Sequence, residues 1–360
     1  MLMMGPVCPP YTGQSVAFTM LVNALQKDAS CKVSVLTISR TNRILLGLKL
    51  CFNIVYCLTV RKYDVVYFTC SRSKLGSVRD LVLLYMAGSR KIRIVNHLHG
   101  RDFAPFFHSL PFWYRKLVYW GYSKIDTNIV LYEGMKKDFK QFPRMKCVVV
   151  PNAFSSSLDA LPLVKEEVLF FRNRILFLSN IIRSKGIMEL LHACKRLMSI
   201  FENLDLTIAG VPMRDEHSTE IEIKHDFECM VEELSQLYPG RVEYLGPVCG
   251  KKKEEVLWRS TIAVLPTYYS MEAFPISVIE AMRAGNYIIT TTFGNLPEWL
   301  NEENGAIIEP SSVDALISAI GSILNDRDRL IRVCNHNIRH VAEHYSEKIY
   351  VDNVRRILTI

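Results

Sequence analysis

Residues Ala263–Leu300 read AVLPTYYSMEAFPISVIEAMRAGNYIITTTFGNLPEWL. A short apolar strand ends at Leu265, Pro266 breaks it, and a loop follows that carries Glu272. A helix then opens near Pro275, a residue suited to a first helical turn, and carries Glu280; a second strand, Tyr287–Thr290, comes next. Strands alternating with helices build a parallel, doubly wound sheet, and such sheets bind ligands beyond the carboxyl ends of their strands. Glu272 and Glu280 fall at that end. A carboxylate accepts two hydroxyl hydrogen bonds, which is what the vicinal diols of sugar and ribose rings offer. The helix start around Pro275–Ser277 adds backbone N–H groups for an anion.

Outward from this window the pattern repeats. Arg174–Leu178, Leu204–Ala209, Val242–Leu245, Ile262–Leu265 and Ala306–Ile308 read as further strands, with helices over Ile187–Phe201, Ile221–Leu237, Lys252–Trp258, Ile276–Ala284 and Val313–Asn325. In the first half, Lys32–Ile38, Val65–Thr69, Ile92–Asn96, Thr127–Leu131 and Cys147–Val150 are β-branched runs bounded by polar or turn residues. Ser15–Lys27 and Val78–Gly88 between them have helical period. The expectation is two Rossmann-like domains facing each other across a cleft. The first spans 1–150 and the second 151–346, with a break near Pro151–Val164 followed by the charged Lys165–Glu167. The helical end, 347–360, is expected to pack back on the first domain.

Bulk composition agrees with two filled α/β cores. The chain has 360 residues, 49% apolar and 22% charged, a balance that excludes disorder. The net charge, 44 − 36 = +8, suits phosphate-bearing substrates or an anionic membrane surface and is also compatible with nucleic acid; charge alone does not choose among them. Ten cysteines show neither a C-x-x-C pair nor zinc spacing, so the reading is a reducing, cytoplasmic compartment. Met1–Pro10 holds two prolines after a very short apolar stretch and is not expected to serve as the h-region of a secretory signal. Ile44–Val60 is apolar over 17 residues but is interrupted by Lys49 and Asn53, short of a membrane span. It reads as a core helix leading into a strand. The stretch Phe103–Tyr122, FAPFFHSLPFWYRKLVYWGY, is rich in aromatic and basic residues. It reads either as core and cleft wall or as a membrane- or acceptor-facing patch, with nucleic acid set aside.

These residues carry a family resemblance. The window resembles the E-x7-E segment of family 4 (group 1) retaining glycosyltransferases of the GT-B fold, in Pro266-Thr267, Glu272-Ala273-Phe274-Pro275, Glu280-Ala281-Met282, Gly285 and Gly294-Asn295-Leu296-Pro297-Glu298. Val148–Phe154 is similar to the linker that opens the donor domain, and Phe177–Ala193 to the segment bearing the phosphate-binding residues. Pro9–Ser15 and Val95–Phe103 match the first domain more weakly. Two departures stand out. Asn180 occupies the usual arginine position, leaving Lys185 as the matching cation with Arg183 as a substitute charge, and Ala273 replaces a glycine.

The resemblance implies an enzyme that transfers a sugar, with retention, from a nucleoside diphosphate sugar to a glycan. The acceptor is expected to be lipid-linked, in surface polysaccharide or lipopolysaccharide assembly, on the cytoplasmic side of a membrane. Donor contacts are expected from Gly13, Asn180, Arg183, Lys185, Glu272, Ala273, Phe274, Pro275 and Glu280. Lys185, Glu272 and His99 are the expected catalytic residues, with Asp102 behind His99. No cofactor and no obligatory metal are implied. His97-Leu98-His99 lacks further ligands at matching spacing, and Asp326-Arg327-Asp328 sits in a charged helix rather than after a strand. The competing functions are transfer to a small soluble acceptor, a non-catalytic nucleotide-sugar- or polyanion-binding module, and a sugar-phosphate isomerase on the same two-domain fold.

Overall fold

The structure, a computed structural model, describes residues 1–38, 43–165 and 173–359. Glu166 and Glu167, the charged end of the expected inter-domain break, lie outside them, as does Ile360. The described chain forms two compact units, Met1–Ala153 with Glu347–Ile360 and Phe154–Ser346.

The first unit is a six-stranded parallel sheet of β1 (Leu2–Gly5), β2 (Ser34–Thr37), β3 (Val65–Phe68), β4 (Arg93–His97), β5 (Thr127–Val130) and β6 (Lys146–Val149), in the order β2-β1-β3-β4-β5-β6. Leu2 pairs with Ser34 on one side and Val66 on the other, so β1 is an inner strand. Its helices are α1 (Gly13–Lys27), α2 (Arg43–Val60), α3 (Lys74–Ser89), α4 (Phe103–His108) and α5 (Phe112–Tyr122). Right-handed crossovers put α1, which leads from β1 out to β2, on one face. The later connections run the other way across the sheet, so α2, α3 and α5 cover the opposite face, with α3 packed between its two neighbours. Gly121 permits that packing, because a Cβ there would come within 2.4 Å of Leu81 Cδ2.

The second unit is a sheet of β7 (Asn173–Leu178), β8 (Leu204–Ala209), β9 (Val242–Tyr244), β10 (Ile262–Leu265), β11 (Tyr287–Thr291) and β12 (Gly305–Ile308), ordered β12-β11-β10-β7-β8-β9 and parallel throughout. Around it lie α6 (Ile187–Met198), α7 (Glu220–Leu237), α8 (Gly250–Arg259), α9 (Ile276–Arg283), α10 (Val313–Leu324) and α11 (Arg327–His344). Helices on both faces make the inner strands continuously apolar, and Ile175, Phe177, Ile208, Val264 and Ile289 are all buried. The last helix, α12 (Glu347–Thr359), rejoins the first unit beside α1. It buries Tyr350, Val351, Val354 and Leu358, and its Arg355 pairs with Asp28 at 2.8 Å.

Two sequence readings change. Ile44–Val60 belongs to one unbroken helix, α2; Ile54 and Leu58 are buried, but Leu48, Phe52, Val55, Tyr56 and Val60 are exposed. It is a half-buried surface helix rather than a core helix running into a strand. Phe103–Tyr122 divides by side chain, since Phe103, Phe106, Phe107, Tyr114 and Tyr122 are buried while Phe112, Trp113, Leu117, Tyr119 and Trp120 face solvent. Among the described residues no helix is long and apolar enough to cross a membrane.

Candidate active site

Strand order in the second sheet reverses between β7 and β10, which lie side by side. Chain segments leaving neighbouring strands at such a point diverge and open a crevice, the usual ligand site of a doubly wound sheet. The segment after β7 makes a 3-10 turn, Arg183–Lys185, and enters α6 through Gly186. Gly186 has φ 75°, and a Cβ on it would lie 2.3 Å from the Pro266 carbonyl oxygen. Only glycine lets the turn close on the segment that follows β10. The two segments are then clasped, as Tyr268 N donates to the Ser184 carbonyl at 2.7 Å.

Lys185 and Glu272 meet at this clasp. Their side chains form an ion pair and are both largely buried, with the Lys185 ammonium 5.2 Å from the centre of the Tyr269 ring. A carboxylate and an ammonium so placed offer acceptors for hydroxyls and donors for an anion in one small volume. Phe274 and Pro275 follow in the same loop and are buried, with the Phe274 ring stacked on Trp299 at 4.1 Å. Asn295, in the Gly294–Glu298 segment, donates to the Ala273 carbonyl and ties that loop down. Pro275 caps α9 without a side-chain bond to its first turn. Glu280, one turn on, is buried and accepts a 2.6 Å bond from Lys253 of α8. Arg183 is paired with Asp226 on α7, and Asn180, at the end of β7, is half-buried.

Sequence reading missed two members of this constellation. Lys253 is one, the cation facing Glu280. Asp215 is the other. One of its oxygens accepts from Ser184 N at 2.8 Å and Ser184 Oγ at 2.6 Å, and the other from His217 N and Ser218 N, both at 2.9 Å. Burial works against its charge, but the bonds from Ser184, His217 and Ser218 outweigh it and hold the carboxyl below its usual range. Asp215 therefore fixes the residue immediately before Lys185. His217 and Ser218 are its neighbours in sequence, but Ser184, the partner that links it to Lys185, lies 31 residues away, so local sequence carries no sign of the role.

Gly13 and His99 belong to the first unit. Gly13 is exposed and opens α1 at the strand-order reversal between β1 and β3; a Cβ there would meet nothing within 4 Å. His99 follows β4 and is stacked on His97 at 3.9 Å. Burial and then the Arg72 charge push its pKa down to about 3, against an opposing hydrogen-bond contribution in which Asn152 is the acceptor. Its ring is thus neutral through the physiological range. Asp102 pairs with Arg72 at 2.5 Å. Asp326 accepts from Arg329 N at 3.0 Å and caps α11, which accounts for the Asp-x-Asp sequence there.

Comparison with known proteins gives this geometry a class. Residues 167–341 match the family described as Glycosyl transferases group 1. This chain is a glycosyltransferase. Over 305 residues the transferase is 25% identical to an MMP alpha-(1->4)-mannosyltransferase of Mycolicibacterium hassiacum, spanning 79% of this chain and 67% of the relative. It is 25% identical over 220 residues to the phosphatidylinositol N-acetylglucosaminyltransferase GPI3 subunit of Saccharomyces cerevisiae, spanning 59% of this chain and 46% of that protein. In structure it is similar to HepE of Anabaena solved in complex with UDP, with a TM-score of 0.73, 14% identity and 99% of both chains covered. That likeness establishes the two-sheet GT-B fold for the transferase.

Proposed function

We propose that the protein is a retaining, family 4-type glycosyltransferase that moves a sugar from a nucleoside diphosphate sugar to a lipid-linked glycan at a membrane surface, in surface polysaccharide or lipopolysaccharide assembly. The observation that carries the reading is the buried Lys185–Glu272 pair at the strand-order reversal of the second sheet. As the glycosidic bond breaks, charge grows on the diphosphate oxygens. Preorganised cations in a nearly dry site stabilise such charge best at the moment it develops. Lys185 supplies that cation, Arg183 adds a second, and the start of α9 offers backbone N–H groups. Glu272 accepts hydroxyls of the transferred sugar, and Glu280, held by Lys253, accepts those of the ribose. Neutral His99 hydrogen-bonds a sugar hydroxyl and acts neither as nucleophile nor as general base. The phosphatidylinositol-directed relative supports a lipid-linked acceptor, and the UDP complex of HepE makes uridine diphosphate the first donor nucleotide to try.

Thermal-shift screening against uridine, guanosine, adenosine and cytidine diphosphate sugars tests the donor half, since a ligand bound only by the folded state raises the melting midpoint. The expected result is a shift with one base, and turnover to the free nucleoside diphosphate that is lost in Glu272→Ala and Lys185→Ala. Silence from every donor, or an epimerised donor with no transferred sugar, would overturn the reading.

A further inference from the structure

The first unit leaves one apolar face uncovered by its own fold. On α2, Leu48, Phe52, Val55 and Tyr56 are exposed at i, i+4, i+7 and i+8, a single helical stripe turned away from buried Ile54 and Leu58. Leu75, Val78 and Tyr85 continue the exposed surface on α3, and Trp113, Leu117 and Trp120 on α5. Because α3 packs between α2 and α5, the three stripes share one side of the sheet, and the Tyr85 and Trp120 rings lie 6.2 Å apart across the α3–α5 seam. Phe112 and Trp113 are each 70% exposed. Soluble monomers rarely show so much contiguous apolar surface without a partner for it.

Charge selects the partner. Neither α2 nor α5 contains an Asp or Glu, and the one acid on α3, Asp80, is buried against Arg79. Lys49, Lys74 and Lys116 are exposed along the same helices, and the Lys116 and Lys124 ammonium groups sit 4.4 Å from the Phe112 and Trp120 ring centres. A second copy of this face would set lysine against lysine with no carboxylate to pair. A nucleic acid offers phosphate, but no hydrocarbon for Leu48, Phe52, Val55 and Leu117. An anionic bilayer offers both, and aromatic and aliphatic side chains ringed by lysines are what settle into its headgroup boundary.

We propose that α2, α3 and α5 form a docking face for an anionic lipid bilayer. The inference rests on the membrane-surface part of the functional reading and names the face that makes the contact. Each lysine near such a surface strengthens binding about fivefold.

The test is cosedimentation of the full chain with vesicles of phosphatidylglycerol and phosphatidylcholine, against vesicles of phosphatidylcholine alone. The parent should bind the anionic vesicles at least tenfold more tightly. Trp113→Ser/Leu117→Ser/Trp120→Ser should lose at least tenfold, and Lys49→Glu/Lys116→Glu should lose the preference for negative charge. Ile221→Ser, on α7 of the second unit and 82% exposed in the parent, should change nothing. Phe52→Ser/Tyr56→Ser reads the same loss from α2 and decides the matter if the α5 variant fails to fold. Equal binding by the parent and these variants overturns the proposal. So does a parent that ignores vesicles and forms a dimer which the same substitutions dissociate. Donor-induced thermal shifts, followed in parallel, report the donor site rather than the α2, α3 and α5 face, so failure of one reading leaves the other standing.

Discussion

At the scale of single residues, the Lys185–Glu272 pair makes the sharpest claim. If the two act as one unit on the leaving diphosphate and its sugar, Lys185→Ala should lower kcat/KM by about a hundredfold or more, the size seen when one electrostatic stabiliser is removed. Glu272→Ala should cost a similar amount, and the double variant little more than either single. Fully additive losses in steady-state kinetics would show that the two work separately. Asp215 acts one step back, through Ser184. Asp215→Asn should raise the donor KM about fivefold to tenfold with a smaller fall in kcat and unchanged circular dichroism; a lowered Tm with an unchanged KM would make Asp215 merely structural. His99 carries a pH prediction. Its folded pKa, about 3, lies below the unfolded value, so an unfolded chain binds more protons as pH falls and stability is lost with acid. The loss begins near the ordinary histidine value of ~6.5 and reaches about 2 kcal/mol by pH ~5 for one such group. Urea unfolding of the parent and His99→Asn across that range should differ in slope, the variant being the flatter. Glu272, Pro275 and Glu280 could be singled out in sequence because they sit at fixed spacing in one window, and Lys185 because it lies in a second motif-like segment, Phe177–Ala193. Asp215 and Lys253 could not, because what makes them functional is a partner 31 or 27 residues away.

At the scale of elements, the Arg183–Lys185 turn is held by shape as much as by charge. Gly186 has positive φ and faces the Pro266 carbonyl at a distance that leaves no room for a methyl group. Gly186→Ala should therefore destabilise the second unit by about 1–3 kcal/mol and reduce donor affinity, because relief of the clash must move either Lys185 or the loop bearing Glu272. A thermal melt with donor titration checks both, and an unaltered affinity in a destabilised variant would separate the turn from the site. The inner strands of the second sheet were readable because burial on both faces makes them unbroken β-branched runs. β1 was passed over, since Leu2–Gly5 is four residues with two methionines and no β-branched side chain, yet it is an inner strand of the first sheet. The surface character of α2 was also hidden. A mean composition rich in Leu, Ile and Cys reads as core, and only the packing of α2 on α3 reveals that half of its described apolar side chains point outward.

At the scale of the whole molecule, the chain leaves its first unit at residue 153 and returns to it at residue 347. The expectation that the C-terminal helix packs back came from its separateness in sequence, and the contacts of α12 give that return an energy. Tyr350, Val351, Val354 and Leu358 are buried, the Tyr350 hydroxyl donates to the Ala17 carbonyl at 3.4 Å, and Arg355 pairs with Asp28. Burying a large apolar side chain contributes about 1.5–3 kcal/mol, so four of them supply roughly as much as the whole net stability of a domain, about 5–15 kcal/mol. The partly exposed ion pair adds little to that. Truncation after Ser346 should accordingly leave Met1–Ala153 without enough buried surface to stay folded, while Phe154–Ser346 keeps its own core intact. Differential scanning calorimetry of the truncated chain should show the loss of one transition. The donor-induced shift should persist in the other, because Lys185, Glu272 and Glu280 all lie in the second unit. A truncated protein that melts as the full chain does would mean that α12 only covers the surface of the first unit, and that the first sheet holds together without it.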